Sequence, residues 1–300
     1  MDSLTVQIDE RKAAGLREKL SAYFELTKPR IAFLLVLTSA AGFYLGSRGT
    51  FEFALFAHAM IAITLLAFGV ATINQWIERD LDPLMERTKN RPLPSGRVTP
   101  TEAIVFGVVQ CLVAEVYLFV LVNPLTAALG MAVIVGYVLI YTPLKTKTTV
   151  CTALGAIPGA LPPLMGWTAA ANEISLAAWA LFVMQFLWQF PHFLAIAWMY
   201  RDQYRAAGIK MLPAVEPAGR ITFRQIVLFT IMLLPISIAP FFFAHAGFLF
   251  LIGACLLGAW FLWASIKAAR TKSNESARTL LLVSVFYLPI LFLLMVIDKR

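Results

Sequence analysis

Long apolar segments recur along this chain, and they decide what it can fold into. A helix needs about 20 apolar residues to cross the hydrocarbon core of a bilayer. Hydrophobic residues make up 60% of the 300 residues and charged residues only 14%. We therefore predict an all-α integral membrane protein with about nine transmembrane helices, near residues 31–47, 53–78, 103–122, 124–141, 152–169, 176–200, 225–244, 246–266 and 279–297.

The positive charge is distributed very unevenly among the connections between these spans. The net charge is +8, and most of the 25 lysines and arginines fall in every second connection, counting the N-terminal arm first. Connections rich in Lys and Arg stay on the cytoplasmic side. We therefore predict a cytoplasmic N-terminus and a C-terminus on the outer side, and no nucleic-acid partner.

The chain divides into a short arm and one large membrane domain. Residues 1–26 mix acids and bases without an apolar centre, so we predict a cytosolic arm there and a membrane domain over 27–300. The arm does not resemble an organelle presequence. The expected location is a bacterial inner membrane.

Three oxygen-bearing side chains end the second span at helical spacing. Asn74, Glu78 and Asp82 stand at i, i+4 and i+8, which places them on one helix face. Acids at this spacing repel each other and oppose the helix dipole, so a cation is needed nearby. Oxygen ligands are typical of Mg²⁺ sites. The alternative is an ordinary solvated loop whose acids are neutralised by Arg79, Arg87, Lys89 and Arg91.

Basic and aromatic side chains lie at the same predicted membrane end. Arg87 and Arg91 follow the acids, and Tyr141 and Lys145 follow the fourth span. The sixth span ends in a second mixed stretch with Tyr200, Arg201, Asp202 and Tyr204. Arginine binds phosphate oxygens in a bidentate manner. We predict two half-bundles around a central cavity, with acids for a metal and bases for a diphosphate.

The motif residues resemble a known family. The run Asn74-x3-Glu78-x3-Asp82-x2-Met85-x-Arg87-Thr88-x2-Arg91-Pro92-Leu93 is similar to the first motif of the UbiA superfamily of intramembrane prenyltransferases, in the version found in protoheme IX farnesyltransferases (heme O synthases). Tyr141-Thr142-x2-Lys145, Gly159-Ala160-x-Pro162-Pro163 and Pro191-His192-Phe193 agree with that subfamily. Two positions differ: Glu78 stands where many members have Asp, and Gln203 where an acid is common.

The resemblance implies a reaction and assigns roles. A farnesyl group would pass from farnesyl diphosphate to the 2-vinyl group of heme B, giving heme O and diphosphate. It implies Mg²⁺ held by Asn74, Glu78 and Asp82, with Asp202 as a weaker ligand. Diphosphate would bind Arg87, Arg91, Lys145 and Arg201, and the cavity would include Tyr141, Tyr200 and Tyr204. The partners are then the two substrates, the lipid bilayer, and a heme A synthase that uses the product.

Ionisable residues within the spans are candidates for function. His192 lies eight residues before Tyr200 on the sixth span, or about 12 Å from its end at 1.5 Å per residue. We predict that His192 is catalytic, either as an axial ligand of heme iron or as the holder of the water that ends the reaction. For Glu115 a packing role is favoured, and Gln185 and Gln189 are expected to bond neighbouring helices.

Two other functions stay open on the sequence alone. A UbiA-type enzyme could instead prenylate an aromatic quinone precursor. A secondary transporter would also use repeated half-bundles and membrane carboxylates. The transporter is disfavoured because the acids lie in a basic loop at a membrane end and not at mid-membrane.

Overall fold

A computed structural model describes residues 15–243 and 246–300, and these residues are almost entirely helical. Residues 15–26 form helix α1, which belongs to the predicted cytosolic arm, whereas residues 1–14 of that arm lie outside the described residues. The following helices are α2 Pro29–Gly46, α3 Phe53–Ile77, α4 Pro100–Leu121, α5 Pro124–Ile134, α6 Thr142–Leu144, α7 Cys151–Ala171, α8 Leu176–Met199, α9 Arg201–Ala206, α10 Leu212–Val215, α11 Arg220–Phe242, α12 Phe248–Thr271 and α13 Asn274–Ile297.

The predicted all-helical membrane fold is confirmed. Within the described residues, eight helices are long and apolar enough to cross a bilayer, namely α2, α3, α4, the segment Pro124–Leu144, α8, α11, α12 and α13. The predicted span 152–169 corresponds to α7, which is not among the eight. Its 21 residues include Pro158, Pro162 and Pro163. Proline and glycine make α7 less apolar than its neighbours, and most of its side chains are buried by other helices.

Helix α7 lies at the centre of the arrangement. It packs against α2, α5 and α8, while α8, α11, α12 and α13 form a second group. Prolines in α7 leave backbone carbonyls free, because proline has no N–H to donate. Pro163 cannot bond the Gly159 carbonyl, and Gln185 Nε2 of α8 donates to it at 2.8 Å. Gln189 Nε2 donates to the Ala156 carbonyl at 2.9 Å. The predicted role of the two glutamines between helices is therefore confirmed.

Helices α2 and α7 approach so closely that only glycine fits between them. A Cβ on Gly166 would lie 1.8 Å from the Ser39 carbonyl oxygen, and one on Gly42 would lie 2.0 Å from the Pro163 carbonyl oxygen. Both obstacles are backbone atoms, which cannot rotate away as a side chain does.

We expect Gly166→Ala to lower the free energy of unfolding by about 1–3 kcal/mol, the usual cost of overpacking. Gly15→Ala is the matched control, because nothing lies within 4 Å of a Cβ at that position. Thermal unfolding of both variants in detergent measures the effect. Equal midpoints for the two variants would contradict the tight crossing.

Candidate active site

Asn74, Glu78 and Asp82 are buried side by side where α3 ends. Their exposed fractions are 1%, 7% and 0%. Helix α3 ends at Ile77, and a short 3-10 turn, Asp82–Leu84, carries the third residue. The backbone N–H of Glu78 still bonds the Asn74 carbonyl at 3.0 Å, and that of Asp82 bonds the Glu78 carbonyl at 2.9 Å. Helical spacing therefore persists through Asp82, as the i, i+4, i+8 pattern predicts.

Cations from three separate segments face these oxygens. Lys145 Nζ donates to Glu78 Oε1. Arg91 Nη1 donates to both carboxylate oxygens of Asp82, at 2.8 and 2.9 Å. Lys28 Nζ donates to Asn74 Oδ1 at 2.7 Å. Two carboxylates thus face three cations, and the site has an excess of positive charge that suits an anionic ligand.

The ionisation of the cluster follows from burial and from these neighbours. Burial opposes ionisation of Glu78, but Lys145 and Lys28 outweigh it and lower its pKa. Burial raises the pKa of Asp82, and the Arg91 guanidinium offsets part of that shift. Burial, together with the nearby Arg91, lowers the pKa of Lys28 to about 7. The pKa of Lys145 is raised, because Glu78 outweighs the opposing effect of burial.

A π-helical turn brings the fourth span into the site. Residues Val135–Tyr141 form a π-helix directly before Pro143. Pro143 has no N–H for the Leu139 carbonyl, and its ring would clash there in a regular α-helix. Widening the turn relieves that clash, and π-turns often occur at functional sites. Thr142 Oγ1 then donates to the Tyr137 carbonyl at 2.8 Å and accepts from Asn74 Nδ2 at 3.1 Å.

Aromatic rings lie beside the cations. Lys145 Nζ is 4.4 Å from the ring centroid of Tyr141. The Arg87 guanidinium lies over Tyr200, 5.1 Å from its centroid, and Arg87 Nη2 donates to the Tyr204 hydroxyl at 3.1 Å. These contacts bring the loop after α3 together with the end of α8. The two mixed stretches therefore meet, as predicted.

Arg201 and Asp202 do not join this cluster. Tyr200 and Tyr204 face inward from the start of α9, so the residues between them point elsewhere. Asp202 is 74% exposed at its side chain and pairs with Arg205 at 3.1 Å. Arg201 Nη1 donates to the Trp198 carbonyl and to Asn274 Oδ1. Their predicted roles in metal and diphosphate binding have no support from these contacts.

His192 lies at the interface of α8 and α13. Its Nδ1 is 2.8 Å from Ser284 Oγ. The Ser284 hydroxyl donates its hydrogen to the Leu281 carbonyl at 2.6 Å, so Nδ1 of His192 must be the donor. The ring also stacks on Trp188, with centroids 4.6 Å apart. These contacts fix the ring against α13, and the catalytic role of His192 stays a prediction.

Two site residues were missed by sequence reasoning. Lys28 was counted only as a topological charge, yet it reaches the Asn74 amide from the start of α2. Its φ of 48° lies in the left-handed region, which non-glycine residues seldom adopt outside constrained sites. Thr142 joins the site only because of the π-helix. Thr142 also belongs to the Tyr141-Thr142-x2-Lys145 stretch that resembles the family, and both residues stand beside a proline at a predicted membrane boundary.

The donor set consists of oxygen atoms only, which suits a hard cation such as Mg²⁺. Among the described residues no group of three or more His, Cys, Asp or Glu side chains could hold a metal ion. Mg²⁺ usually keeps several waters and takes one or two carboxylates together with phosphate oxygens. Glu78, Asp82 and the Asn74 amide match that chemistry.

Comparison with known proteins identifies the family of this chain. A profile described as the UbiA prenyltransferase family matches residues 35–293. The chain belongs to this family. A protein from Solibacter usitatus named protoheme IX farnesyltransferase is 43% identical over 286 residues, covering 92% of this chain and 98% of that protein. One of the same name from Myxococcus xanthus is 40% identical, covering 96% and 98%.

Solved structures show the same fold at low sequence identity. A digeranylgeranylglyceryl phosphate synthase superposes with a TM-score of 0.78 at 17% identity, covering 94% of this chain and 98% of that one. A UbiA homologue from Archaeoglobus fulgidus bound to GPP and Mg²⁺ gives 0.65 at 15% identity, covering 92% and 99%. These likenesses establish the UbiA fold, which includes the predicted half-bundles.

Proposed function

We propose that this chain transfers the farnesyl group of farnesyl diphosphate to the 2-vinyl group of heme B, giving heme O and diphosphate. The observation that carries the proposal is the buried cluster of two carboxylates, one amide and three cations at a single end of the membrane bundle. Such a cluster suits a metal-bound diphosphate. The identity of about 40% to proteins named protoheme IX farnesyltransferase supports heme as the acceptor.

The diphosphate would lie between the oxygen ligands and the cations. Asn74, Glu78 and Asp82 would hold Mg²⁺, which supplies positive charge to the leaving diphosphate. Lys28, Lys145 and Arg91 already converge on these oxygens, and their ammonium and guanidinium groups would donate to phosphate oxygens. Positive charge aimed at the group that gains negative charge lowers the barrier to leaving. This arrangement favours cleavage of the C–O bond.

Aromatic side chains would protect the allylic cation formed by that cleavage. The rings of Tyr141, Tyr200 and Tyr204 already lie against Lys145 or Arg87, and a ring face that attracts an ammonium also attracts a carbocation. The terminal vinyl carbon of heme B then bonds to the farnesyl carbon. Water adds to the other vinyl carbon, the one attached to the porphyrin ring, and loses a proton, which leaves the hydroxyethylfarnesyl group. No described residue is assigned to that water.

The location follows from the charge pattern. The cluster lies at the end of the bundle that also carries most of the lysines and arginines. By the positive-inside rule this end faces the cytoplasm. We therefore place the protein in a bacterial inner membrane with a cytoplasmic N-terminus, where a heme A synthase would consume the product.

The reaction is tested with purified protein in detergent. Incubation with heme B, farnesyl diphosphate and Mg²⁺, followed by mass analysis of the extracted heme, should show a gain equal to one farnesyl group plus one hydroxyl group. The gain should disappear when a chelator removes Mg²⁺. If a quinone precursor is prenylated and heme is not, heme is the wrong acceptor. If no prenyl group is transferred to either compound, the proposal is overturned.

A further inference from the structure

Helix α1 carries a row of exposed apolar side chains. Leu16, Leu20 and Phe24 stand at i, i+4 and i+8, and are 63%, 61% and 60% exposed. This spacing places them along one face of the helix. Large apolar side chains left in water in a continuous row usually mark a surface that another component covers.

Contacts with the rest of the protein fix the rotation of α1 about its own axis, and therefore the side on which this row lies. On another face of α1, Ala22 and Leu26 are fully buried against Val98 and Ala103. The ring of Tyr23 packs on Phe106 of α4 with centroids 4.9 Å apart. Lys19 Nζ also donates to Glu102 Oε1. Because these contacts hold α1, it cannot rotate to bury the apolar row against the protein itself.

The third face of α1 is polar. Arg17, Glu18, Ser21 and Glu25 are exposed on it. The helix therefore has a protein-facing sector, an apolar sector and a polar sector. A helix lying in the plane of a membrane surface needs an apolar sector toward the acyl chains and a polar sector toward water.

The apolar row continues onto a surface that must face lipid. Only Thr27 and Lys28 separate α1 from α2, which is a membrane span. Near its start Ile31 is 57% exposed and Phe33 is 66% exposed. Phe24 and Ile31 line one groove of about 460 Å³ together with Ser21, Glu25, Lys28, Pro29 and Arg30. An apolar wall beside basic side chains suits the boundary between acyl chains and phosphate headgroups.

We propose that α1 docks in the interface of the bilayer, with Leu16, Leu20 and Phe24 among the acyl chains. Docking of α1 would affect the candidate active site, because hydrogen bonds connect the end of α1 to that site. Gln75 Nε2 of α3 donates to the Leu26 carbonyl at 2.9 Å, one residue after the Asn74 amide that Lys28 contacts. The bilayer surface thus helps to hold the turn that presents Lys28. This inference does not depend on the acceptor of the prenyl group.

Site-directed fluorescence tests the proposal in the full-length protein reconstituted into nanodiscs. The background replaces the exposed Cys255 by serine and keeps Cys111 and Cys151, which are buried. A single bimane label is placed by Leu16→Cys, Leu20→Cys or Phe24→Cys. The matched controls are Arg17→Cys and Glu18→Cys, which are exposed on the polar sector and lie outside the groove that Phe24 lines.

Brominated lipids should quench the three apolar-sector labels about threefold more strongly than the controls, and aqueous iodide should show the opposite order, as expected for an interfacial helix. Equal quenching of all five labels by iodide would overturn the proposal, because α1 would then lie in water. Protection of the apolar-sector labels from both quenchers would also overturn it, since a protein partner or a second copy would then cover the row. Size-exclusion profiles confirm that each labelled variant is folded.

Discussion

Asp82→Asn is expected to lower kcat for heme O formation by about a thousandfold, the upper range for losing one electrostatic contact in an active site. The substitution keeps the shape of the side chain but removes one of the two carboxylates that would hold Mg²⁺. It also removes the negative charge and one of the two oxygens to which Arg91 Nη1 donates, at 2.8 and 2.9 Å. Single-turnover measurements over a range of Mg²⁺ concentrations would separate slower chemistry from weaker metal binding.

Glu86→Gln is the control for this prediction. Glu86 lies in the same loop, but it is 73% exposed and pairs with Lys89 at the surface, 2.7 Å away. Removing its charge should change kcat by less than about twofold, because exposed ion pairs contribute little. An Asp82→Asn variant that is as active as Glu86→Gln would remove Asp82 from the proposed mechanism.

Lys28→Gly is expected to lower kcat/KM for farnesyl diphosphate by about a hundredfold, equivalent to one or two charge-assisted hydrogen bonds. Its stability should not fall. Lys28 has a φ of 48°, where glycine avoids a strain of about 1 kcal/mol that other residues carry. If Lys28 served only to stabilise the fold, Lys28→Gly would lower the stability and leave kcat/KM unchanged. Steady-state kinetics and thermal unfolding in detergent measure the two effects.

Lys272 provides a matched control on the same fold. It also adopts the left-handed conformation, with a φ of 50°, at the turn between α12 and α13. Its Nζ bonds only the Ala218 carbonyl among the described contacts. Lys272→Gly should therefore keep its activity. A similar loss of activity in both variants would show that the turns, and not the Lys28 ammonium group, are responsible.

The sequence predicts the membrane fold well because length and apolarity are local properties. Helix α7 is the exception, since its prolines and glycines make it less apolar while its neighbours bury it. A count of spans that uses only apolar character misses a helix that is surrounded by protein and not by lipid. The count of nine spans thus remains a prediction, although the helix itself occurs close to the predicted limits.

The motif around Asn74 was predictable because helical spacing places its residues on one face. The outer members of the site depend on tertiary structure. The sequence alone does not show that Arg201 and Asp202 lie apart from the other members, because that depends on which side of α9 Tyr200 and Tyr204 occupy. Their roles in metal and diphosphate binding stay predictions. Lys28 could not be found, since a left-handed turn is set by how α1 and α2 pack and not by the local sequence.

The ion pairs within the cluster also determine what substrate binding costs. Lys145 donates to Glu78, and Arg91 donates to Asp82. On the mechanism proposed above, a diphosphate that binds these cations would have to replace the contacts that they make with the carboxylates. Binding would then be an exchange of partners and not a simple addition. The carboxylates would compete with the diphosphate product for the same cations, which would favour its release.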